Sequence, residues 1–439
     1  MRSTSPSANL RRWVSVAATA VATTGIAAAL GASAQGAFHL TVVSRTSGGI
    51  AANGYSTTEG AGGAISHDGR IAAFASNAAN LPHGNGSTFR CYVRNLGSGK
   101  THLVSVTSNG APATGQTFSP AISADGRFVA FHGTGTGLPG ANGQGQVWVH
   151  DLKTGITRLA SRANNGDPAT GGNSAYPSLS GDGRFVAFES DASNLPGASS
   201  STDLMYIRDL KAGKTLVGSQ TGAGAAAFGS VYGQPLSSNG GRVTFFSNDA
   251  DLPHGSDGFD HVYVRDRGSG NVRLVDQTRQ GAAANGQSND VSISGNGRFV
   301  AFDSYATNLP GGSGPGSQSY LRDLKRGKTK LVSQTTAGHP QTGYSYYPHV
   351  SGDGHYVAFY ADGSNLPGGD GSTDEIYLRD MREGKTSLIS RAANLDPANA
   401  YAEYPSISLD GRWVEFYSGA TNLGGNPSNQ NVFRAGPIG

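Results

Sequence analysis

The chain has 439 residues, a formal net charge of +3 at pH 7 and 66 glycines, but only one cysteine, Cys91. A single cysteine excludes a disulfide framework, so core packing has to stabilise the fold. We expect Cys91, within the apolar run CYV, to be a buried packing residue and not a nucleophile.

The N-terminal segment is typical of an export signal. Three arginines and no acidic residue precede an apolar, alanine-rich run over 14–30. Ala-Ser-Ala at 32–34 then fits a signal peptidase site. We predict a secretory signal peptide over residues 1–34. A membrane anchor is the alternative, and the Arg-Arg-Trp at 11–13 leaves both Sec and twin-arginine export open.

Cleavage would remove three arginines and no acid, so the mature chain would have a formal charge of zero. A neutral chain lacks the positive field that binds phosphates, which argues against a nucleic-acid partner. No later stretch is long and apolar enough to cross a bilayer, so we predict no membrane span. The predicted location is therefore extracellular or in the cell envelope.

The rest of the chain repeats one phrase, seen as GDGRFVAFESDASNLPG at 181–197. Its hairpin glycine aligns as Gly69, Gly126, Gly183, Gly241, Gly297, Gly354 and Gly411, with steps of 57, 57, 58, 56, 57 and 57. A phenylalanine follows five residues later, as Phe74, Phe131, Phe188, Phe246, Phe302, Phe359 and Phe416. Seven such units nearly fill residues 38–439, which predicts one repeat domain.

Each unit contains four strand-like pieces. In the third unit they are YPSLS, FVAFES, LMYIRDL and TLVGSQ, separated by the turn DGR, a loop beginning NLPG and the turn KAGK. Aromatic and β-branched residues favour strands, and the glycines suit tight hairpins. The sequence therefore predicts an all-β, seven-bladed β-propeller of four-stranded antiparallel blades. A sandwich array and an open solenoid are the alternatives.

The two ends of the repeat region complement each other. FHLTVVSR at 38–45 matches a fourth strand, whereas NVFRAG at 431–436 matches a third strand with no successor. We expect the N-terminal strand to become the outer strand of the last blade, which would close the ring and remove exposed sheet edges.

The motifs P-S-L-S-G-D-G-R-F-V-A-F and M-Y-I-R-D-L-K-A-G-K-T resemble the WD40-like repeats called PD40, found in the propeller of TolB-type periplasmic proteins. The resemblance covers all seven units and implies the propeller fold. The α/β domain that precedes the TolB propeller is expected to have no counterpart here.

Polar residues that recur in most units are interpreted as structural, because a catalytic group is needed only once. They are the serine and aspartate of the first turn, such as Ser180 and Asp182, and the third-strand arginine, such as Arg208. Aspartate can bond its own turn backbone, and arginine can bridge a turn.

Function is sought where the units differ, in the loops that would lead into the innermost strands. Aromatic and polar residues there suit recognition of a sugar or peptide at a concavity. The ligand-binding candidates are Phe118, Tyr176, Gln234, Asp290, Tyr346, Tyr347, His349, Glu403 and Tyr404. Packing of these loops against the rim is the competing interpretation.

Asp370 and Asp374 form the one candidate metal site, because closely spaced carboxylates around glycine can bind calcium. Solvated turn acids are the alternative, and no other cofactor is predicted. No zinc spacing among histidines and no G-x-S-x-G elbow is present in the sequence.

The sequence thus favours an exported, monomeric and non-catalytic propeller that binds a protein, peptide or glycan through its loop-rich face. The alternative is a carbohydrate-active enzyme, a lyase or glycosidase, in which Asp290, His349 and Glu403 converge at the central channel. A purely structural envelope protein is the third hypothesis.

Overall fold

A computed structural model describes residues 39–60, 62–198, 203–230, 233–312 and 316–438. The predicted signal peptide, residues 1–34, lies outside the described residues. All described residues belong to one compact unit, and they contain strands and turns but no helix. Among them, accordingly, no helix has the length and apolar character needed to cross a bilayer.

The strands form seven antiparallel sheets, which confirms the predicted seven-bladed β-propeller. Blade 1 comprises β2 (Ser56–Thr57), β3 (Ile71–Ser76), β4 (Arg90–Asn95) and β5 (Lys100–Leu103). Blade 2 comprises β6 (Thr117–Ile122), β7 (Phe128–Gly133), β8 (Gln146–Asp151) and β9 (Ile156–Leu159). Blade 3 comprises β10 (Ser174–Leu179), β11 (Phe185–Ser190), β12 (Leu204–Asp209) and β13 (Lys214–Val217). Blade 4 comprises β14 (Arg242–Ser247), β15 (His261–Asp266) and β16 (Val272–Leu274).

Blade 5 comprises β17 (Ser288–Ile293), β18 (Phe299–Ser304), β19 (Gln318–Asp323) and β20 (Lys328–Leu331). Blade 6 comprises β21 (Ser345–Val350), β22 (Tyr356–Ala361), β23 (Glu375–Asp380) and β24 (Lys385–Leu388). Blade 7 comprises β25 (Ala402–Ile407), β26 (Val414–Ser418), β27 (Asn431–Gly436) and, from the other end of the chain, β1 (His39–Val42). Among the described residues of blade 4, the innermost segment meets β14 through isolated bridges, such as Leu236 with Val243.

The ring closes as expected, through antiparallel pairing of β1 with β27. The register runs from His39 opposite Gly436 to Val42 opposite Phe433. The Val43 amide continues the ladder by donating to the Val432 carbonyl at 2.7 Å. Pairing the first and last strands leaves blade 7 with the same four-stranded sheet as its neighbours.

Each blade carries one stacked aromatic pair between its second and third strands. The pairs are Phe74–Tyr92, Phe131–Trp148, Phe188–Tyr206, Phe245–Tyr263, Phe302–Tyr320, Phe359–Tyr377 and Phe416–Phe433, with ring centroids 5.5 to 5.9 Å apart. These rings are fully buried between neighbouring blades. Such pairs contribute roughly 0.5–1.5 kcal/mol each beyond their area burial.

The pairing of Phe245 with Tyr263 corrects the alignment of the fourth repeat by one residue. Gly240, not Gly241, has the left-handed turn conformation, with φ of 63°. Phe245 is the buried aromatic, whereas Phe246 points to the opposite side of the strand. The adjacent Gly-Gly and Phe-Phe doublets concealed this register, and the true spacing is 57 residues at every step.

The recurrent polar residues build the tight turns, as their repetition predicted. In blade 3, the Ser180 hydroxyl donates to Asp182 at 2.7 Å and accepts the Phe185 amide at 2.9 Å. Arg208 donates to the Thr215 hydroxyl at 3.0 Å across the second tight turn. Cys91 is also as expected, fully buried, and burial raises the pKa of its thiol to about 12.

The two tight turns of each blade lie on one face, and the longer loops lie on the other. An ion pair of 2.7 Å between Arg184 of the first turn and Asp209 before the second joins the two turns of blade 3. At the axis, backbone bonds join the hairpins of neighbouring blades, for example Gly181 N–H to Ser238 carbonyl at 2.8 Å. These bonds draw the tight-turn face together, and the opposite, loop-rich face carries the axial pocket.

Candidate functional site

Five blades carry a strained residue where the innermost strand begins on the loop-rich face. Backbone φ angles of 44° to 51° are found at Ser119, Tyr176, Asp290, Tyr347 and Tyr404. Each residue lies in a β-bulge, where the register between the first and second strands shifts. Bulges redirect side chains, and positive φ in residues other than glycine is costly and clusters at functional sites. The strained column contains four of the nine predicted ligand-binding residues.

The corrected register changes the blade 4 member of this column. Gly233, with φ of 93°, occupies the position, and Gln234 is one residue further along. The Gln234 carbonyl accepts the Ile293 amide at 2.9 Å, so its backbone links blades 4 and 5. A ligand contact by Gln234 stays a prediction.

Eight tyrosines on blades 5 to 7 form a continuous aromatic surface, which we call the tyrosine arc. Its members are Tyr305, Tyr344, Tyr346, Tyr347, Tyr360, Tyr401, Tyr404 and Tyr417, each within 6.5 Å of another ring centroid. The closest contact, 4.3 Å, joins Tyr347 to Tyr404 across the boundary between blades 6 and 7. Tyr305 and Tyr344 at one end are each 41% exposed, so the arc begins in solvent and continues to the axis.

A shorter aromatic run lies on blades 1 to 3. Phe118 contacts Phe89 at 5.4 Å and His132 at 6.1 Å, and His132 contacts Tyr176 at 5.5 Å. Burial lowers the pKa of His132 to about 4, so its imidazole is neutral at pH 7. The predicted candidates Phe118 and Tyr176 therefore belong to this second aromatic run.

The innermost end of the tyrosine arc forms one wall of a pocket on the propeller axis. The pocket is small, with about 20 Å³ of space for a water-sized sphere, room for about one water molecule. Its lining residues are Thr58, Gly60, Gly233, Asp290, Val291, Tyr347, Pro348, His349, Tyr404, Pro405 and Ser406. Four predicted residues, Asp290, Tyr347, His349 and Tyr404, are thus brought together, whereas Phe118, Tyr176 and Glu403 lie outside this lining.

Asp290 is hydrogen-bonded to a second carboxyl group, that of Asp303 on β18. Burial raises the pKa of Asp290 to about 6, although bonds from Asp303 and the Tyr347 amide oppose the shift. Burial and the Asp290 charge raise the pKa of Asp303 well above its usual range, and the Ser317 hydroxyl donates to Asp303 at 2.9 Å. Because two adjacent carboxylates repel each other, the pair shares a proton.

His349 contributes a buried donor to the same pocket. Its Nδ1 accepts the Ile407 amide at 3.2 Å, which places the proton of the neutral ring on Nε2. Burial lowers the pKa of His349 to about 4, so the ring is neutral at pH 7. The side chain is only 4% exposed, and Nε2 has no hydrogen-bond partner within the described protein.

Glu403 lies beside the tyrosine arc. Its carboxylate accepts the Tyr417 hydroxyl at 2.7 Å. Burial raises the pKa of Glu403, and the negative charge of Glu59 raises it further. Tyr346, the remaining candidate, contacts Tyr360 at 5.7 Å, and its hydroxyl lies 2.8 Å from that of Tyr305.

The predicted calcium ligands have separate roles. Asp370 accepts the amides of Ser372 at 2.8 Å and Thr373 at 3.1 Å, and these bonds lower its pKa. Burial and the charges of Glu403 and Asp362 raise the pKa of Asp374 to about 6. Within the described ranges, no group of three or more His, Cys, Asp or Glu side chains is placed to hold a metal ion. Calcium binding by this pair stays a prediction.

Several site residues that the sequence analysis missed occupy one column of the second strand. It follows the invariant phenylalanine and reads Ala75, His132, Glu189, Phe246, Asp303, Tyr360 and Tyr417. These side chains point away from the stacked phenylalanines, because alternate strand residues face opposite sides. Alignment of all seven units with a constant spacing of 57 residues would have revealed this column. The residue type varies from unit to unit in the column, whereas the position before it is always phenylalanine.

No protein-family model and no curated protein matches this sequence. Solved structures do match. The oligogalacturonate lyase from Vibrio parahaemolyticus aligns with a TM-score of 0.55 at 14% identity, covering 91% of this chain and 96% of that chain. An oligogalacturonate lyase in complex with manganese aligns with a TM-score of 0.55 at 13% identity and the same coverage, 91% and 96%.

The β-propeller domain of the Trilobed protease from Pyrococcus furiosus aligns with a TM-score of 0.53 at 13% identity, covering 88% of this chain and 94% of that chain. At these identities the similarity shows the fold alone. That domain is described as having an open velcro topology, whereas β1 and β27 close the ring here. The chain is therefore a closed seven-bladed β-propeller, the fold implied by its resemblance to TolB-type repeats.

Proposed function

We propose that this protein is an exported propeller that binds a protein, peptide or glycan through its loop-rich face. The tyrosine arc carries the proposal, because it joins eight rings into one surface that runs from solvent to the axial pocket. Tyrosine offers a flat apolar face and a polar hydroxyl, a combination enriched in binding surfaces. The column of residues with positive φ supports the same conclusion. Such backbone strain is costly, and it clusters at sites where it positions functional side chains.

Array binding with substitutions at the exposed end of the arc tests this proposal. The chain without residues 1–34 would be applied to peptide and glycan arrays beside the variants Tyr305→Ala and Tyr344→Ala. Both side chains are 41% exposed, so the variants should fold normally. We expect the arrays to identify a ligand that binds each variant about tenfold more weakly than the parent protein. This loss corresponds to about 1.4 kcal/mol of binding free energy.

Leu216→Ala provides the matched control, because Leu216 is a 48% exposed apolar residue on the outer strand β13. The Leu216→Ala variant should bind the array ligand with the same affinity as the parent protein. If every captured ligand bound the Tyr305 and Tyr344 variants as well as the parent, the arc would not be the binding surface.

The carboxyl pair of Asp290 and Asp303 favours a second candidate, a carbohydrate-active enzyme. A carboxyl group with a raised pKa can act as a general acid, and this one lies at the pocket wall. Glycosidases also need a second carboxylate about 5 Å or more from the acid, a role that Glu403 would have to fill. Incubation with a polysaccharide panel that includes oligogalacturonate tests this function, and activity abolished by Asp290→Asn would support it.

A further inference from the structure

A broad groove runs between blades 5 and 6 on the outside of the propeller. It consists of two adjoining cavities that offer about 310 and 600 Å³ of space to a water-sized sphere and share Lys328, Lys330, Met381 and Arg382. The groove extends from the tight turns of both blades to loops of the opposite face. We call it the basic groove, because seven lysine or arginine side chains but only three aspartate or glutamate side chains line it.

Three cations of the basic groove have no acidic partner. Arg279, Lys328 and Lys330 are all exposed, and none of them forms an ion pair within the described ranges. Two of the three lining carboxylates, those of Asp323 and Asp353, already pair with other arginines at 2.6 and 2.7 Å. Uncompensated cations in a groove attract anionic ligands.

This charge is not part of the repeated scaffold. Among the described residues that line the corresponding groove between blades 1 and 2, none is lysine or arginine. Blade 5 has Arg326 and Lys330 at two positions of its second turn and outer strand. Blade 1 has Ser98 and His102 there. Residues needed to build every blade would recur, so the basic groove is a specialised feature of one blade boundary.

The backbone of β20 adds a hydrogen-bond donor to these cations. In four other blades, the amide of the outer-strand threonine donates at 2.7 to 3.2 Å to a side-chain oxygen of the preceding loop. These oxygens belong to Ser47, Ser108, Asn164 and Thr336. In blade 5 the corresponding residue is Arg279, which has no acceptor to offer, and the Thr329 amide has no acceptor among the described residues. An anionic oxygen drawn to Arg279 would satisfy this amide.

The arrangement of the cations suits a long ligand. Lys328 and Lys330 alternate with a buried residue on β20, so their Cα atoms are roughly 6.7 Å apart at about 3.3 Å per strand residue. Arg279 comes from the preceding loop, and Arg382 comes from blade 6. A small anion would reach only some of these groups, and a flat membrane surface could not enter a groove between two blades. A linear polyanion can contact them in succession.

The groove favours a sugar chain over a peptide. Peptides commonly bind as an added strand or through rows of apolar pockets. The edge of β20 is covered by a loop from blade 4, because the Thr329 hydroxyl donates to the Gln277 carbonyl at 2.7 Å and Arg322 donates to the same carbonyl at 3.2 Å. Charged side chains outnumber apolar ones in the lining. The hydroxyl and acidic groups of a glycan both accept hydrogen bonds from lysine and arginine, so a glycan needs neither feature.

We propose that the basic groove binds an acidic polysaccharide. Its carboxylate or sulfate groups pair with Arg279, Lys328 and Lys330, and one anionic oxygen accepts the Thr329 amide. This site goes beyond the proposed function, because the groove lies outside the tyrosine arc and would bind its ligand even if the arc bound nothing.

Fluorescence anisotropy with labelled polymers tests the proposal. The probes are dextran, carboxymethyl-dextran, dextran sulfate and polyglutamate, with the charged polymers matched in length and charge density. We expect the two acidic dextrans to bind the parent protein and neutral dextran to bind at least tenfold more weakly. Comparison of the two acidic dextrans identifies the preferred anionic group. Their affinity should fall as the salt concentration rises, because salt screens ion pairs at an exposed groove.

A pair of double variants locates the binding site. Lys328→Gln/Lys330→Gln should weaken binding of the preferred acidic dextran at least tenfold and reduce its salt dependence. Lys100→Gln/Arg158→Gln is the matched control, because it removes the same charge at the corresponding positions of blades 1 and 2. It should change the affinity less than about twofold. All four side chains are exposed, and circular dichroism would verify that both variants are folded.

Substitution of Arg279 tests the anion site at the Thr329 amide. Arg279→Ser copies blades 1 and 2, so it removes a cation and supplies the missing acceptor oxygen. It should weaken binding of the acidic dextran at least threefold, whereas Arg279→Lys keeps the charge and should bind like the parent protein.

Three results would overturn the proposal: no binding of either acidic dextran, equal losses in the two double variants, or polyglutamate binding as tightly as the acidic dextrans. The last result would assign the groove to an acidic peptide. Tyr344→Ala should leave binding of the acidic dextran unchanged, so failure of the groove and failure of the tyrosine arc are distinguishable.

Discussion

The carboxyl groups of Asp290 and Asp303 are hydrogen-bonded to each other at the wall of the axial pocket. In blade 3 the two corresponding positions are occupied by Tyr176 and Glu189, so the carboxyl pair is not part of the repeated scaffold. Burial of two adjacent acids disfavours ionisation, which makes this pair a source of pH-dependent stability.

The stability of the fold should therefore fall as the pH rises from about 4 to above 6. The folded pKa of Asp290, about 6, lies above the ordinary value of 3.8, so the folded state binds more protons in this window. Asp303→Asn removes the repulsion and should stabilise the protein at pH 7 by roughly 1–3 kcal/mol, from about 1.36 kcal/mol per pKa unit. Thermal melts from pH 4 to 8 measure the effect.

Asp251→Asn, at an exposed acid without such a partner, should reproduce the pH profile of the parent protein. An Asp303→Asn profile with the same slope as the parent would show that the two carboxyls do not repel each other.

Adjacent glycines in blade 4 test the corrected repeat register. Gly240→Ala places a Cβ atom 2.3 Å from the Phe185 ring at a φ of 63° and should destabilise the fold by about 1–3 kcal/mol. Gly241→Ala meets only the flexible Asn239 side chain, at 3.0 Å, and should change stability by less than about 0.5 kcal/mol. Urea denaturation compares the two, and the reverse order would restore the original alignment.

Closure of the ring should be essential for stability. A chain that starts at residue 46 lacks β1 and its extension, and it should melt well below a chain that starts at residue 38. Val42→Asp offers a point test, because Val42 is 7% exposed within the blade 6–7 core, and a buried unpaired charge costs about 3–5 kcal/mol. His39→Asp, at an exposed position on the same strand, is the control. Equal melting temperatures for all four proteins would contradict closure by β1.

Blade 4 also contains a buried ionic cluster that replaces a recurrent serine. His261 Nδ1 lies 2.8 Å from Asp276, and Nε2 lies 3.0 Å from Asp257. In blades 2 and 5 the two corresponding positions are a glutamine and a serine, as in the bond from Ser161 to Gln146 at 2.6 Å. Burial alone would lower the pKa of His261, but the two aspartates outweigh it and raise the pKa to about 9.

Because the folded pKa of His261 is raised, its stabilisation is complete below about pH 6.5 and is lost as the pH rises through 9. The double variant His261→Gln/Asp276→Ser copies blades 2 and 5, so it should fold and lose this dependence. The loss expected in the parent is on the order of 1–3 kcal/mol between pH 6 and 10. Melts over that range provide the measurement, and an equally steep decline in the double variant would exclude His261 as its source.

The fold could be predicted because it depends on features repeated in every unit. Glycine turns, alternating strand residues and the complementary sequences at 38–45 and 431–436 each specify local structure, and seven copies made the pattern unambiguous. The one-residue misalignment arose where doublets, Gly240-Gly241 and Phe245-Phe246, offered two equivalent matches. Only the direction of the side chains, which is set by pairing across the sheet, distinguishes them.

The site was predicted in part, because its residues come from two columns and only one was recognised. Variation before the first-strand proline identified Asp290, Tyr347 and Tyr404 in the axial pocket. Asp303 and Tyr360 were missed because they follow an invariant phenylalanine in a strand that reads as core. Contacts between blades, such as that of His349 with Ile407, depend on ring geometry and have no local sequence signal.

The junction between β1 and β27 in blade 7, the seam of the ring, also determines how the ring responds to mechanical force. His39 and Gly436 face each other at one end of the β1–β27 ladder, so both termini leave the sheet from the same end. Tension between the termini would therefore load the ladder hydrogen bonds one after another, as in a zipper, instead of shearing them together. The four-residue strand β1 would peel away at low force, and the propeller would open at its seam while the other six blades stayed folded.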